Sequence, residues 1–333
     1  MVASVVLNGA KSTTRVSEAT RSRIIEAGIR LKYRRNAAAL GLCRRKMNAI
    51  GVVAPFDGGE LNLYVLELLN GILEATAESG QNATVLGLRN WQEDGTRLLD
   101  FCDGRIDALV MIAPQINPDL AEQLPEYLPC VTINGSCYIP GAHGINVDNR
   151  QGARIAVQHL IELGHRDILL LSGGETVPDS IDRTRGYLEA ISLASGTGVV
   201  PRILHGGFSI ASGRRLMKQV LDESQELPTA VFCASDAIAV GCIEVLQEHG
   251  ILLPNQVSVV GFDDTIAARI TTPALTTIRQ PFRAMGQRAV NLALELLDNE
   301  EPDVPEAGAL PAAIELFEAG LVVRASTGAL SRD

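Results

Sequence analysis

The chain has 333 residues, of which 46% are hydrophobic, and a formal net charge of −10; this length and composition suit two or three globular α/β domains. No stretch reaches the roughly 18 consecutive apolar residues of a membrane span, no secretory signal pattern opens the sequence, and the six cysteines form no C-x-x-C pair. These patterns exclude a membrane protein, a disulfide framework and a zinc site. We therefore expect a cytoplasmic protein that uses no metal and no cofactor.

The charge is divided unevenly along the chain. Residues 1–48 contain eleven Lys or Arg and two Asp or Glu, a net charge of +9, whereas the remainder contains 18 and 37, a net charge of −19. A cationic segment attracts polyanions, and nucleic acid is the first candidate because Lys and Arg release counterions from its phosphates. The acidic remainder should bind something else.

Within the basic segment, Ser17 is a favourable N-cap for a helix. That helix places its apolar residues on one stripe: Val16, Thr20, Ile24, Ala27 and Leu31. Four basic residues lie off the stripe, where they can face phosphates: Arg21, Arg23, Arg30 and Lys32. The alanine-rich stretch after Tyr33, RRNAAALGLCRRK, either folds on binding DNA or serves as an interdomain linker.

From Ala49 onward, short apolar runs alternate with amphipathic segments of helical length. The predicted strands are AIGVVA (from Ala49), ATVLGL (from Ala83), IDALVMI (from Ile106), CVTIN (from Cys130), DILLLSG (from Asp167), TAVFCA (from Thr229), VSVVGF (from Val257) and LTTIRQ (from Leu275). Near-continuous Val, Ile and Leu runs are typical of strands that are buried on both faces. Their alternation with helices predicts parallel sheets.

More than eight strand–helix repeats exceed what one open sheet usually carries. We therefore predict an α/β fold with two doubly wound parallel-sheet lobes. The expected first lobe covers about residues 48–148 plus 279–308, and the second covers about 149–278 plus 309–328. In such an arrangement a ligand binds at the carboxyl ends of the strands, here in the cleft between the lobes.

Motifs for catalysis are missing from the sequence. It contains no Walker loop, no G-x-G-x-x-G that opens a helix, no G-x-S-x-G and no H-E-x-x-H, and its five histidines are isolated. Asp263 and Asp264 are adjacent at the end of a predicted strand, where their side chains point to opposite faces and make a poor acid–base pair. We expect no enzymatic activity.

A series of short motifs, in this order, resembles the LacI/GalR family of bacterial transcriptional regulators over nearly the whole chain. The motifs are SVVLNG (from Ser4), VSEATRSRI (from Val16), YRRNAAALGL (from Tyr33), IGVV (from Ile50), GHRDILLLSG (from Gly164), RTRGY (from Arg183), SDAIAVG (from Ser235), PNQVSVVGFDD (from Pro254), LTTIRQP (from Leu275) and LVVRASTG (from Leu321). The resemblance implies a helix-turn-helix head and hinge helix over residues 1–47. It also implies a two-lobed effector domain like that of periplasmic binding proteins over residues 48–333.

The resemblance also implies which residues bind DNA. Ser4, Val5 and Asn8 correspond to the recognition helix, which lies in the major groove, and Asn36, Ala39 and Leu42 correspond to the hinge. Leu42 matches the leucine that wedges into the minor groove, where an apolar side chain unstacks a base step.

The head departs from the family pattern in three ways. The family's first helix and turn have no counterpart before Met1, Val5 stands where many members have Arg, and Arg35 replaces the usual hinge proline. Either the start codon is assigned too late or the product has lost DNA binding, because a helix-turn-helix needs its first helix to brace the second. Since the basic hinge pattern is retained, we favour the late start.

For the effector, the resemblance implies a cleft that contains Arg183, Asp263 and the stacking residue Phe208. Further candidates are Tyr64, Ser235, Asp57 and Asp148. An alternative role remains open for Tyr64 as a core residue, and Asp236 is interpreted as a structural residue at a helix N-terminus.

These features predict a repressor whose affinity for operator DNA is controlled by a small polar effector, a sugar or sugar derivative. A homodimer on a pseudo-palindromic operator is expected, because two hinge helices must meet in one minor groove. The alternatives are a cytosolic ligand sensor that has lost DNA binding, a solute-binding protein and a doubly wound enzyme.

Overall fold

The computed structural model of the protein describes residues 2–8, 15–34, 41, 46–56, 63–135, 139–194, 200–223, 226–298 and 312–330. The described part of the head includes the helices α1 (Val2–Asn8) and α2 (Glu18–Arg30). Ser17 is the N-cap of α2, as predicted, and its hydroxyl accepts a hydrogen bond from the Thr20 amide at 3.3 Å. The two helices pack closely, since a Cβ added to Gly28 would lie 3.1 Å from a methyl group of Leu7.

The apolar stripe predicted for α2 is largely confirmed. Val16, Thr20, Ile24 and Ala27 are half-buried, and the basic residues off the stripe are exposed. Leu31 was placed on the stripe wrongly, because it is the C-cap of the helix and is 74% exposed.

The first lobe is built mainly from the chain between residues 49 and 147. Its elements there are β1 (Ala49–Pro55), α3 (Leu63–Glu78), β2 (Asn82–Leu88), α4 (Trp91–Asp94), α5 (Arg97–Phe101), β3 (Ala108–Ile112), α6 (Pro118–Ala121), β4 (Cys130–Ile133) and β5 (His143–Val147). The strands expected from Ala49, Ala83, Ile106 and Cys130 are thereby confirmed.

The chain then builds most of the second lobe. Its elements are α7 (Asn149–Glu162), β6 (Ile168–Ser172), α8 (Pro178–Leu193), β7 (Arg202–His205), α9 (Ile210–Glu223), β8 (Ala230–Cys233), α10 (Asp236–Glu248), β9 (Ser258–Asp263), α11 (Ile266–Ile270) and β10 (Thr276–Arg279). The chain returns to the first lobe with α12 (Phe282–Asp298) and β11 (Ala312–Phe317), and β12 (Gly320–Val322) ends in the second.

Two six-stranded sheets form the centres of the lobes, with strand orders β11-β5-β4-β3-β1-β2 and β12-β10-β9-β8-β6-β7. All pairings are parallel except that of β10 with β12. Because parallel strands need helical crossovers, helices cover both faces and the central strands are buried throughout. The predicted α/β fold with two doubly wound lobes is confirmed.

The chain crosses between the lobes three times, at Asp148, at Gln280–Pro281 and at Glu318–Ala319. The Asp148 amide donates to the Phe317 carbonyl at 3.0 Å, which joins two of these crossings. The expected return to the second lobe at residue 309 is too early, because β11 pairs with β5 in the first sheet.

Glycines bring helices into backbone contact in both lobes. A Cβ on Gly71 of α3 would collide with the Arg283 carbonyl of α12, and one on Gly186 of α8 would collide with the Arg150 carbonyl of α7. A Cβ on Gly213 of α9 would likewise meet a carbonyl of α10. Each of these three helix pairs is therefore packed too closely for any larger side chain at the crossing.

Candidate functional site

Arg183 lies at the centre of a buried polar cluster at the carboxyl ends of β6, β8 and β9. It sits on the first turns of α8, and its side chain is only 4% exposed. The guanidinium Nε donates to Oδ1 of Asn149 at 2.7 Å, and Nη1 donates to the carbonyl of Ala234, which follows β8, at 2.5 Å. The guanidinium carbon lies 3.9 Å from the ring centroid of Phe262 and 5.5 Å from that of Phe208. Two aromatic faces and two hydrogen bonds thus fix the orientation of the cation.

Two carboxylates flank this guanidinium. Oδ1 of Asp263 is 3.8 Å from Nη1, and Oδ2 of Asp179 is 4.0 Å from Nη2. Gln280, at the second crossing between the lobes, donates to Oδ1 of Asp263 at 2.7 Å, and Asn149 donates to Oδ1 of Asp179 at 3.0 Å. Burial raises the pKa of Asp263 to about 6 even though the charge of Arg183 opposes this shift, and burial also raises the pKa of Asp179.

Tyr64 approaches the cluster from the first lobe. Its ring packs edge-on against Phe282, with centroids 5.2 Å apart and planes inclined by 77°. Burial raises the pKa of its phenol, and the negative charge of Asp179 raises it further. Asp179 belongs to the second lobe, so the phenol lies within electrostatic range of the opposite wall of the cleft.

Several buried polar atoms near the cluster have no hydrogen-bond partner among the described residues. They are Oη of Tyr64, both side-chain polar atoms of Asn134, Oε1 of Gln280 and Oγ of Ser180. Asn134 directly follows β4, has a positive φ of 50° and is close enough to Tyr64 to lower the pKa of its phenol. A buried polar atom without a partner costs about 1–3 kcal/mol. Atoms of this kind, drawn from both lobes, suit a site that is completed by a polar ligand.

The structure brings four of the predicted effector residues together: Arg183, Asp263, Phe208 and Tyr64. Two others are helix N-caps, whose side chains accept amide hydrogens. Ser235 accepts from Ile238 at 3.2 Å to cap α10, and Asp148 accepts from Gln151 at 2.8 Å to cap α7. Capping accounts for both residues without an effector, and Asp57 lies outside the described residues. Effector contacts by these three residues stay predictions.

The structural role expected for Asp236 is confirmed. One of its carboxylate oxygens accepts from the amide of Thr265 at 2.7 Å, and the other accepts from the hydroxyl of Thr277 at 2.6 Å. Burial first, and then the nearby charge of Asp263, raises the pKa of Asp236 to about 8 against these hydrogen bonds. The residue therefore ties the start of α10 to β10 from behind the cleft.

Sequence reasoning did not identify Asp179, Asn149, Gln280, Phe262 and Asn134 as members of the cluster. Asp179 had a detectable signal, because it precedes Arg183 by four residues in a helical segment and so shares its face. Asn134, Phe262 and Gln280 are the last residues of predicted strands, and ligands of parallel sheets bind at those carboxyl ends. Asn149 had no such signal.

The predicted DNA-binding residues are only partly within the described chain. Ser4 and Val5 lie in α1, where Ser4 is exposed and Val5 is half-buried, and Asn8 is the last residue of that helix. The hinge candidates Asn36, Ala39 and Leu42 lie outside the described residues. The contacts of all six with DNA stay predictions.

The described ranges contain no group of three or more His, Cys, Asp or Glu side chains that could hold a metal ion. No helix among them is long and apolar enough to cross a bilayer.

Comparisons with known proteins agree with this architecture. The model of the periplasmic binding protein-like domain matches residues 157–327. The transcriptional regulator GalR of Escherichia coli K12 is 31% identical over 95% of this chain and 89% of its own length. Catabolite control protein A of Priestia megaterium is 30% identical over 90% of this chain and 89% of its own length. The repressor PurR of Vibrio atlanticus is 29% identical over 86% of this chain and 85% of its own length.

Solved structures extend the similarity to the whole fold. The Lac repressor dimer bound to operator and an anti-inducer superposes with a TM-score of 0.81 at 26% identity, over 98% of this chain and 94% of that one. The complex of the regulator CelR with cellobiose superposes with a TM-score of 0.73 at 26% identity, over 97% and 94%. The order of motifs, the two-lobed fold and the identity to GalR over nearly all of the chain together show that this protein belongs to the LacI/GalR family of bacterial transcriptional regulators.

Proposed function

We propose that the protein is a DNA-binding transcriptional repressor whose affinity for its operator is set by a small polar effector, a sugar or sugar derivative, bound between the lobes. The observation that carries the proposal is the buried cluster in which Asp179 and Asp263 flank Arg183, with Tyr64 of the other lobe within electrostatic range of it. The chain is similar to the repressor PurR, which supports the regulatory role. It is also similar to the regulator CelR in its complex with cellobiose, which supports a sugar as the effector.

The proposed mechanism is a change in the angle between the lobes. An effector that hydrogen-bonds to Tyr64 and to Asp263 stabilises one lobe arrangement, because it contacts both walls only when they are close together. The three crossings transmit that preference to the first lobe and to the basic head. By linkage, an effector that weakens operator binding is itself bound more weakly when DNA is present.

The functional form in this proposal is a cytoplasmic homodimer on a pseudo-palindromic operator. The Lac repressor structure similar to this chain is a dimer on its operator. Apolar side chains are exposed on both lobes, among them Leu66 and Leu73 on one face of α3 and Ile270 on α11. Such surface is available for a second copy of the chain.

Titration of DNA selected from random sequence tests the role of the head. We expect fluorescence anisotropy to give binding that weakens as salt rises, because Lys and Arg displace counterions from phosphates. The variant Arg21→Gln/Arg23→Gln should lower the salt slope by about 2, roughly one unit for each lost phosphate contact. Arg105→Gln removes an exposed arginine of the first lobe and is the matched control. Binding that is indifferent to salt and to both head substitutions would favour a sensor without a DNA role.

A further inference from the structure

The charges of the effector site are unbalanced. Arg183 is flanked within 4.0 Å by Asp179 and Asp263, so the cluster holds one cation and two carboxylates. Among the described residues, Arg183 is the basic side chain that pairs with both carboxylates, and its charge lowers the pKa of each of them. With both carboxylates ionised, the site has a net charge of −1.

Part of the guanidinium is also already used in hydrogen bonds within the protein. Arginine recognises phosphates and carboxylates through two parallel N–H groups in the plane of the guanidinium. Here Nε is committed to Asn149 and Nη1 to the Ala234 carbonyl, while Nη2 lies toward Asp179. The rings of Phe262 and Phe208 cover the faces of the group. An anionic ligand would therefore approach the Nη1 and Nη2 end of the group, where Oδ1 of Asp263 lies 3.8 Å and Oδ2 of Asp179 lies 4.0 Å away.

What the site offers a ligand is a set of neutral groups and hydrogen-bond acceptors. Oη of Tyr64, Oε1 of Gln280 and the side-chain amide of Asn134 are buried and have no hydrogen-bond partner in the part of the chain that the structure describes. Each carboxylate uses its Oδ1 in a hydrogen bond to an amide side chain, from Gln280 or from Asn149. Hydroxyl groups can donate to such acceptors and accept from the phenol and the amides. A phosphate has no proton to donate when fully ionised and would meet two like charges.

We propose that this site selects an uncharged, polyhydroxylated effector and excludes phosphorylated and carboxylated ones, and that Asp179 and Asp263 are the residues that impose this selectivity. The inference rests on the proposed effector function of the cleft. It restricts the proposed effector to uncharged molecules.

Inorganic phosphate is the probe that tests the charge balance, in an assay that contains no DNA. We expect the melting temperature of the wild-type protein at pH 7.5 to be the same in phosphate as in potassium chloride of equal ionic strength. The isosteric variants Asp179→Asn and Asp179→Asn/Asp263→Asn remove one and both carboxylates without removing volume. The double variant should gain saturable phosphate binding at least about tenfold tighter than any seen in the wild type, because Arg183 is then uncompensated. Asp179→Asn alone provides the test if the double variant does not fold.

Two control variants test whether the phosphate binds at Arg183. Arg215 is exposed near Gly206, at the end of β7, and Arg215→Ala should leave the phosphate response of every background unchanged. Arg183→Gln should abolish the binding gained by the double variant. Saturable phosphate binding to the wild type that Arg183→Gln removes would overturn the proposal. A correctly folded double variant that gains no phosphate binding would overturn it too.

Matched ligands give the second readout. Ribose and ribose 5-phosphate, galactose and galactose 6-phosphate, and cellobiose and cellobiose 6′-phosphate differ within each pair by one phosphate. Any stabilisation of the wild type should come from the neutral member, and a phosphate ester that stabilises more than its neutral partner would contradict the proposal. Because neither readout uses DNA, a failure of operator binding would leave this inference standing, and a failure here would leave the regulatory function standing.

Discussion

Asp236 and Asp263 are buried carboxyl groups whose pKa values are raised to about 8 and about 6, chiefly by desolvation. In an unfolded chain both would have the ordinary value near 4. Between that value and the raised ones, the native protein binds more protons than the unfolded chain does. The contribution of these groups to stability is therefore present at low pH and is lost as pH rises through 6 and then through 8.

We expect the melting temperature to fall on the order of 5 °C between pH 6 and pH 9 as a result. Asp236→Asn removes the group with the higher pKa, so the upper part of this decrease should disappear even if the variant melts at a lower temperature overall. Asp222→Asn, an exposed substitution on α9, is the control and should keep the wild-type dependence. Differential scanning calorimetry across pH measures the slope, and an unchanged slope in Asp236→Asn would contradict the prediction.

The carboxylate of the neighbouring residue, Asp264, points away from that of Asp263. Its carboxylate accepts from Arg279, at the end of β10, and from Arg324, which follows β12. Both aspartates have positive φ angles, 125° and 57°, so the backbone is held in the sparsely populated left-handed region where β9 ends. The turn thereby directs one carboxylate into the cleft and the other toward the strand that leads to the second crossing.

Removing the Asp264 charge should be strongly destabilising. Its side chain is 1% exposed, and that of Arg324 is 16% exposed, so Asp264→Asn leaves a largely buried guanidinium without its counter-charge. We expect a loss of about 3 kcal/mol in the free energy of unfolding, measured by urea denaturation. Asp103→Asn breaks the exposed pair with Arg105 and should cost less than about 1 kcal/mol. Equal losses in the two variants would show that the pair at Asp264 is no better shielded than a surface one.

At the scale of elements, buried strands were predicted from the sequence more accurately than strands at the sheet edges. β3, β4, β6, β8 and β9 are buried on both faces, and each appeared in the sequence as a near-continuous apolar run. The strands not predicted were β5, β7, β11 and β12, of which the last three are sheet edges. An edge strand has fewer neighbours to bury its side chains, so it carries polar residues such as Arg202 and His205 in β7 and gives no continuous apolar signal.

The same limit applies to the site. Arg183 and Asp263 were found because they stand in recognisable motifs, and Phe208 and Tyr64 because the family resemblance implies an aromatic residue at each of their positions. Gln280 and Asn149 are defined as members of the cluster only by their partners, Asp263 and Asp179, which lie 17 and 30 residues away in the sequence. Such partners are fixed by the packing of strands and helices in the second lobe, and local sequence pattern does not contain that information.

The glycine at the crossing of α7 and α8 gives an element-scale prediction. Gly186→Ala would place a methyl group against the Arg150 carbonyl, and backbone cannot rotate away as a side chain can. We expect a loss of about 1–3 kcal/mol in the free energy of unfolding from overpacking. Gly320→Ala is the control, because a Cβ at that position meets no atom within 4 Å. A Gly186→Ala protein as stable as the control would show that the two helices can separate at low cost.

At the scale of the whole molecule, effector binding and DNA binding are separate functions joined by the crossings. Arg183→Ala removes the centre of the effector site and leaves the basic head intact, so operator affinity should stay within about threefold of wild type while the response to effector is lost. Arg185→Ala, two residues along the same helix and 64% exposed at its side chain, should retain both properties. Anisotropy titrations of operator with and without effector distinguish the cases, and loss of operator binding in Arg183→Ala alone would mean that the cluster also maintains the fold required by the head.

The tight glycine contacts between α3 and α12, α7 and α8, and α9 and α10 have a mechanical consequence. Helices whose backbones touch cannot slide without opening a gap, so each lobe resists internal deformation. The conformational change that follows effector binding is therefore concentrated in the three short connectors, and little rearrangement occurs within a lobe. The two lobes therefore move as rigid bodies about the connectors. Substitutions that loosen the helix packing within a lobe should reduce the effect of effector on operator affinity before they change the affinity for effector or for DNA alone.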